Sequence, residues 1–332
     1  MDPAHIRRGF PGEHRKSCDI VCNFIERCPV KEINRIEPFY GMAFSAYQNN
    51  TIMKEKYLAI TLVCFFNFIA CFAQQNPSIN YGNNPKAGNY YNNNGSKVYY
   101  EIYGEGKPVV LLHGNGGSIR SRAAFIEEFS KKYKVIAIDS RCHGKSDCPV
   151  SYLTYEQMAD DVDKVLQHLR IDSAYIWGHS DGGIVGLIVA IHYPKKVKKL
   201  LATGANLRPD STAVEPALFP LLNVLEKQAK ADSIHYKQFL LLVEQPHIPV
   251  SDLQKIKSDV LIMAGDRDAI RVEHTMEIFK NIPGALLCIL PGTTHFVYAD
   301  RPQWFKEIMY DFFENPPRRT TTAELMSGAV KK

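Results

Sequence analysis

Long apolar runs are scarce in this 332-residue chain. Only residues 58–73 (LAITLVCFFNFIACFA) are continuously apolar, and about 16 residues fall short of the ~20 that a spanning helix needs. A membrane bundle is thereby excluded. A surplus of one charge is lacking too, since 40 Lys and Arg against 35 Asp and Glu leave +5. Basic residues cluster only briefly, as in Lys195-Lys196-Val197-Lys198-Lys199, whereas nucleic-acid binders concentrate basic charge on one face. No nucleic-acid partner is expected. With 45% hydrophobic and 23% charged residues, the chain also lacks the bias of disordered, collagenous or coiled-coil proteins. Its length suggests about two domains at ~150 residues each, although α/β folds reach ~250 residues as one.

The single apolar run follows Met53-Lys54-Glu55-Lys56 and ends on the small residue Ala73. A short basic start, an apolar centre and a small terminal residue describe a secretory signal peptide over 53–73, cut before Gln74-Gln75-Asn76-Pro77. The expected location is secreted or periplasmic. The alternatives are an uncleaved anchor through 58–73 and a lipidated Cys71, because Phe68-Ile69-Ala70-Cys71 loosely resembles a bacterial lipobox. Residues 1–52 show no sustained periodicity and read as an upstream segment rather than a folded domain, with Met53 as the natural start. Cys18, Cys22 and Cys28 match no zinc spacing and no His pair follows them, so no metal is expected there. After position 73 three cysteines remain, Cys142, Cys148 and Cys288. An odd number cannot be fully paired within one chain; Cys142 and Cys148 can join if their loop permits. Residues 74–95, rich in Asn, Gly and Tyr, read as a linker.

From residue 97 strands and helices alternate. Strands are expected at 97–103, 109–112, 134–139, 174–177, 199–203, 260–264 and 286–290. Helices are expected at 122–132, 155–169, 183–192, 272–280 and 303–313. The pattern predicts an α/β fold, with a mostly parallel central sheet and helices on both faces, over 96–315. Residues 316–332 read as a tail. In such sheets ligands bind at the carboxyl ends of strands.

Four strand-end turns carry chemistry. Gly178-His179-Ser180-Asp181-Gly182 is G-x-S-x-G between a strand and an apolar helix, a turn that lifts a Ser hydroxyl above a sheet. His113-Gly114-Asn115-Gly116-Gly117 follows the second strand. No Gly-Lys-Ser/Thr follows and no G-x-G-x-x-G is present, so it is not a phosphate cradle. It suits the presentation of N–H donors to an oxyanion, and the backbone N–H groups of Asn115 and Asp181 are the candidates. Pro291-Gly292-Thr293-Thr294-His295 places His295 at a strand end as general base, since a Ser hydroxyl needs one within reach. His179 is expected to pack under the elbow, and His113 and His143 to fix their loops. Gly265-Asp266-Arg267-Asp268 offers two acids to orient that base; Asp268 is preferred, with Asp266 turning the loop.

In this order the turns resemble the α/β-hydrolase superfamily over roughly 95–315, closest to its single-domain serine esterases and carbon–carbon bond hydrolases. Asp139-Ser140-Arg141-Cys142-His143-Gly144-Lys145-Ser146 is similar to that family's D-x-R-G-x-G-x-S loop, with Cys142 where Gly is usual, which makes local backbone strain an expectation. The resemblance implies catalysis by Ser180, Asp268 and His295, an oxyanion hole at Asn115 and Asp181, and no cofactor. Haloalkane dehalogenases and soluble epoxide hydrolases are disfavoured, because they carry Asp at the elbow. Residues 206–258 interrupt the alternation where family members place a lid. A small helical lid is expected, with helical runs at 218–229 and 234–243 and with Phe219, Leu222 and Phe239 lining a partly open substrate pocket. The implied function is hydrolysis of a small-molecule carboxylic ester through an acyl-enzyme. The alternatives are carbon–carbon bond hydrolysis and a non-catalytic binding module.

Overall fold

The computed structural model describes residues 79–327. The upstream segment at 1–52, the signal segment at 53–73 and Cys71 lie outside the described residues, as do 328–332 of the tail. Eight strands form one sheet: β1 (Gly88–Asn93), β2 (Ser96–Tyr103), β3 (Lys107–Leu112), β4 (Tyr133–Ile138), β5 (Ala174–His179), β6 (Val197–Thr203), β7 (Asp259–Arg267) and β8 (Leu286–Thr294). Their order is β1-β2-β4-β3-β5-β6-β7-β8, with β1/β2 and β2/β4 antiparallel and every later pair parallel. The helices are α1 (Ala123–Phe129), α2 (Tyr155–His168), α3 (Asp181–His192), α4 (Phe219–Ala229), α5 (Ser233–Glu244), α6 (Val272–Asn281), α7 (Val297–Asp300), α8 (Pro302–Glu314) and α9 (Thr322–Met326). None is long and apolar enough to cross a membrane.

Alternation along the central strands builds two cores. Val110 and Leu112 on β3, Ile176 on β5 and Leu200 on β6 face one side, with Met158, Val162, Ile184 and Ile278 from α2, α3 and α6. Val109, Leu111, Tyr175, Trp177 and Leu201 face the other, against Phe129 of α1 and Phe305, Met309 and Phe313 of α8. Successive side chains point to opposite faces of a strand, so covering both faces demands the near-continuous apolar runs read from the sequence. Each fully buried aliphatic or aromatic side chain contributes about 1.5–3 kcal/mol by leaving water. Two helix ends show how the boundaries are set. Thr154 Oγ1 accepts from Gln157 N at 3.1 Å while Gln157 Oε1 accepts from Thr154 N at 3.1 Å, a reciprocal cap that starts α2. The buried Lys199 Nζ donates to the carbonyls of Phe312 and Asn315, each at 2.7 Å, and closes the end of α8.

The linker expectation is corrected for residues 79–95, which belong to the fold. Tyr81 is buried, and Gly82 N and Asn84 N donate to the buried Glu101 carboxylate at 2.7 and 2.9 Å. β1 pairs along β2 through a two-residue turn whose members, Asn94 and Gly95, both have positive φ (52° and 86°). Asn-Gly is the strongest short-range signal of such a hairpin. The signal stands in the sequence at these positions, inside a polar stretch without an apolar period. At the end of β1, Asn93 Nδ2 donates to Asp160 and Asp161 at 2.9 and 2.8 Å, and Arg141 grips Asp161 through Nε and Nη2. The tail is likewise partly ordered. Thr321 caps α9, and Arg319 holds Gly284 O at 2.7 Å and the Asp259 carboxylate.

Candidate active site

β5 ends in the turn that carries Ser180, whose backbone is held at φ 54°, ψ −120°. Such a conformation costs of order 1–3 kcal/mol and persists only where its surroundings over-determine it. Here they do. Ser180 N donates to Thr203 O at 2.8 Å, while Gly183 N and Ile184 N donate to Ser180 O at 2.8 and 3.0 Å as α3 begins. A Cβ at Gly178 would lie 2.0 Å from Gly182 O, and one at Gly182 would lie 2.5 Å from Leu112 O. The two glycines of the motif are therefore steric requirements of the elbow.

The β8 end delivers His295, and its Nδ1 lies 2.6 Å from Asp268 Oδ1. Asp268 is fully buried at its side chain, and Ile270 N and Gly265 N also donate to its carboxylate at 3.0 and 3.3 Å. Burial alone would raise the Asp268 pKa, but the His295 charge, its hydrogen bond and the two N–H groups hold it below the usual carboxylate value. Burial likewise opposes a charge on His295, yet the Asp268 charge and hydrogen bond bring its pKa above the ordinary imidazole value. Asp266 faces elsewhere and accepts from Thr293 N at 3.2 Å, bracing the β7–β8 junction. The structure thus pairs His295 with Asp268 and not with Asp266.

The Asn115 loop meets the elbow directly. Asn115 Nδ2 donates to Asp181 Oδ2 at 2.9 Å, and Asp181 opens α3, where a backbone N–H has no intrahelical acceptor. Burial pushes the Asp181 carboxyl up to about 6, against hydrogen bonds from Asn115 and Tyr155 that lower it. His113 accepts from Ser140 N at 3.0 Å and approaches Gly114 O at 2.8 Å, and His143 approaches Arg141 O at 2.9 Å, so both brace loops. The buried His179 contacts Thr203 Oγ1 at 3.2 Å beneath the elbow, and its ring centroid lies 4.7 Å from that of His295. The loop of the altered D-x-R motif also braces the site. Asp139 accepts from Ile119 N at 2.7 Å and Lys145 N at 2.8 Å, and burial first of all lifts its pKa to about 6. Cys142 sits at φ 62°, the strain expected from a side chain where Gly is usual, and is disulfide-bonded to Cys148. Cys288 is a free thiol.

A cavity of about 200 Å³ opens beside Ser180, Asp181 and His295. α4 and α5, inserted between β6 and β7, form the small helical lid over it, and Phe219 and Leu222 line it as expected. Phe239 does not, and that expectation is corrected. From α5 the lining residues are Leu242 and Val243; Phe239 lies one turn earlier, and its ring stacks on Tyr236 at 6.3 Å. Two residues were missed from the sequence. Arg122 is buried, with its guanidinium 4.6 Å from the Tyr298 ring centre and 5.1 Å from that of Trp177. The buried Gln238 donates to Cys142 O at 2.6 Å. Neither lies in a motif, and no local pattern marks a polar side chain that distant rings or a distant carbonyl will receive.

Comparison with known proteins agrees with this architecture. The sequence profile of the family described as "alpha/beta hydrolase fold" matches residues 107–233. An abhydrolase domain-containing protein of Schizosaccharomyces pombe is 40% identical over 96 residues, 28% of this chain and 35% of that protein. The human serine hydrolase BPHL is 26% identical over 247 residues, 67% of this chain and 84% of that protein. The chain spans less than half the length of several relatives it matches, 35% of one and 46% of another. Among solved structures, the enol-lactonase from Burkholderia xenovorans LB400 superposes with a TM-score of 0.60 at 21% identity, over 68% of this chain and all of that one. With the sheet order, the elbow and these likenesses together, the chain has the α/β-hydrolase fold.

Proposed function

We propose that the protein is a serine esterase in which Ser180 is the nucleophile, His295 the general base and Asp268 the residue that orients it. The observation that carries this reading is the 2.6 Å pair between His295 and Asp268, delivered to the same cavity wall as the strained Ser180. Asp268 fixes the proton on Nδ1 and leaves Nε2 to accept the hydroxyl proton as Ser180 Oγ attacks the ester carbonyl. The resulting oxyanion faces the Asn115 and Asp181 N–H groups, each worth roughly 3 kcal/mol in such a role. His295 then returns the proton to the departing alcohol, and the same cycle with water releases the acid. Among the relatives, one carries the name serine hydrolase.

The cavity narrows the substrate class. Val214, Leu218, Phe219, Leu222, Leu225 and Leu242 give it apolar walls, and Asp181 is the charged side chain beside Ser180. No Lys or Arg lines it among the described residues. A carboxylate-bearing substrate would meet a buried acid with no cation to offset it, which disfavours the diketone acids of carbon–carbon hydrolases. At about 200 Å³ the space suits a short, neutral acyl group. A p-nitrophenyl ester panel is expected to favour acetate and butyrate over both palmitate and a hemisuccinate. Faster turnover of the hemisuccinate would overturn the assignment.

The pH profile follows from the direction of the His295 shift. As a base His295 works only when neutral, and its pKa is raised above 6.5. The acid limb of kcat/KM is therefore expected to have its midpoint above pH 6.5, activity being lost as pH falls through it. A midpoint below 6 would contradict the Asp268 pairing.

We also propose that the protein is exported through residues 53–73. The Cys142–Cys148 disulfide supports this, because such bonds persist in oxidising compartments. Expressed from Met53 in a Gram-negative host, the exported protein should begin at or near Gln74 by N-terminal sequencing. An intact apolar segment in membranes, or a lipid on Cys71, would select the anchored forms instead.

A further inference from the structure

We propose that Gln238 is a positioning residue for the oxyanion loop and that the Cys142–Cys148 disulfide is the anchor against which it holds. The inference rests on the esterase reading above and adds a device that the catalytic residues alone do not show. The contacts form one continuous path. Asn115 Nδ2 donates both to Asp181 Oδ2, at 2.9 Å, and to Gln238 O, at 3.1 Å. From the same residue, Gln238 Nε2 donates to Cys142 O at 2.6 Å. Cys142 is bonded to Cys148 six positions on, and Cys142 N donates to Asp147 O at 3.1 Å, closing the loop on itself.

The path matters because of what stands at its two ends. At one end is Asn115, whose backbone N–H must point at a developing oxyanion, and misplacement by about 1 Å is costly there. At the other is a residue at φ 62° that is not Gly. A side chain there favours relaxation of the backbone, which would swing the Cys142 carbonyl away, and the cross-link opposes that movement. Between them Gln238 is buried, so its amide has no water to turn to if the carbonyl leaves. The lid helix α5 thereby serves two ends at once, its backbone carbonyl on the oxyanion loop and its side chain on the disulfide loop. A second link, from Ser140 N to His113 Nε2 at 3.0 Å, joins the two loops from below and leaves them assembled when the upper link is cut. Loss of the upper link is therefore expected to loosen the donor without unfolding the sheet.

Because disulfide and amide act in series, their effects on turnover must overlap. The test uses butyrate ester kinetics on four proteins: wild type, Gln238→Met, the double variant Cys142→Ser/Cys148→Ser, and the triple variant. Met keeps the length of Gln238 and loses its donor; Ser keeps a side chain at φ 62° and removes only the cross-link, and a thermal melt checks that each variant is folded. The Gln238 variant and the cysteine variant should each lower kcat about tenfold, with KM changed less than about threefold. The triple variant should be no worse than either. In wild type, a phosphine with water reduces the disulfide, giving two thiols and the phosphine oxide. It should lower kcat to the same extent, reversed on reoxidation, and should leave Gln238→Met unchanged. Variants within twofold of wild-type kcat would overturn the proposal, as would a triple variant whose loss is the product of the separate losses. A wild type with no esterase activity would instead remove the Ser180 reading itself.

Discussion

Ser180→Ala is expected to lower turnover of p-nitrophenyl butyrate by roughly 10⁴-fold or more while leaving the protein folded. The hydroxyl is the only atom group removed, and the Ser180 side chain makes no hydrogen bond that defines the elbow. The turn is held instead by backbone contacts to Thr203 O and from Gly183 and Ile184. Binding should survive, because the apolar walls from α4 and α5 are untouched. Steady-state kinetics alongside a thermal melt would show this as a fall in kcat with little change in KM or melting temperature. Near-normal turnover by a folded Ser180→Ala protein would end the serine hydrolase assignment.

The second large effect separates two neighbouring acids. Asp268→Asn should lose roughly 10³–10⁴-fold in kcat/KM, since an amide neither stabilises the imidazolium nor fixes the tautomer that Ser180 needs. Asp266→Asn should stay within about tenfold, because the amide oxygen can still accept from Thr293 N. The pH profile adds a sign. The Asp268 charge raises the His295 pKa, so the residual activity of Asp268→Asn should have its acid limb at lower pH than wild type. If the two variants rank the other way, Asp266 is the orienting acid and the 2.6 Å pair is incidental.

Much of this arrangement was legible in the sequence, for reasons that also explain the misses. Strands β3 to β7 are largely buried and the apolar half of β8 partly so, which is why their apolar runs survive in the sequence, and each chemical residue lies just beyond one. Ser180 and His295 could be placed from local patterns alone. Asp268 and Asp266 share one strand end, so both acids were open in the sequence, and the family resemblance supported the preference for Asp268. β1 escaped because its residues are polar and half-exposed; the segment before it is held by Glu101 and its last residue by Asp160 and Asp161, contacts that no window of sequence contains. Phe239 was misassigned because helical spacing gives a face but not where along the helix a cavity ends. Cys142 and Cys148 could be named as a possible pair, but only the fold brings their sulfurs together.

The positive φ at Ser180 has a consequence for evolution in the laboratory. Glycine would occupy that backbone conformation with less strain than serine does, so a nucleophile proposed at this position is retained against the stability of the native state. The strained seat belongs to the chemistry, and relaxing it would remove the hydroxyl along with the strain. Selection for thermostability alone would therefore reward Ser180→Gly, a more robust protein with no catalyst in it. Improvement by that route has to be screened for turnover at every round, because here heat resistance and activity pull one codon in opposite directions.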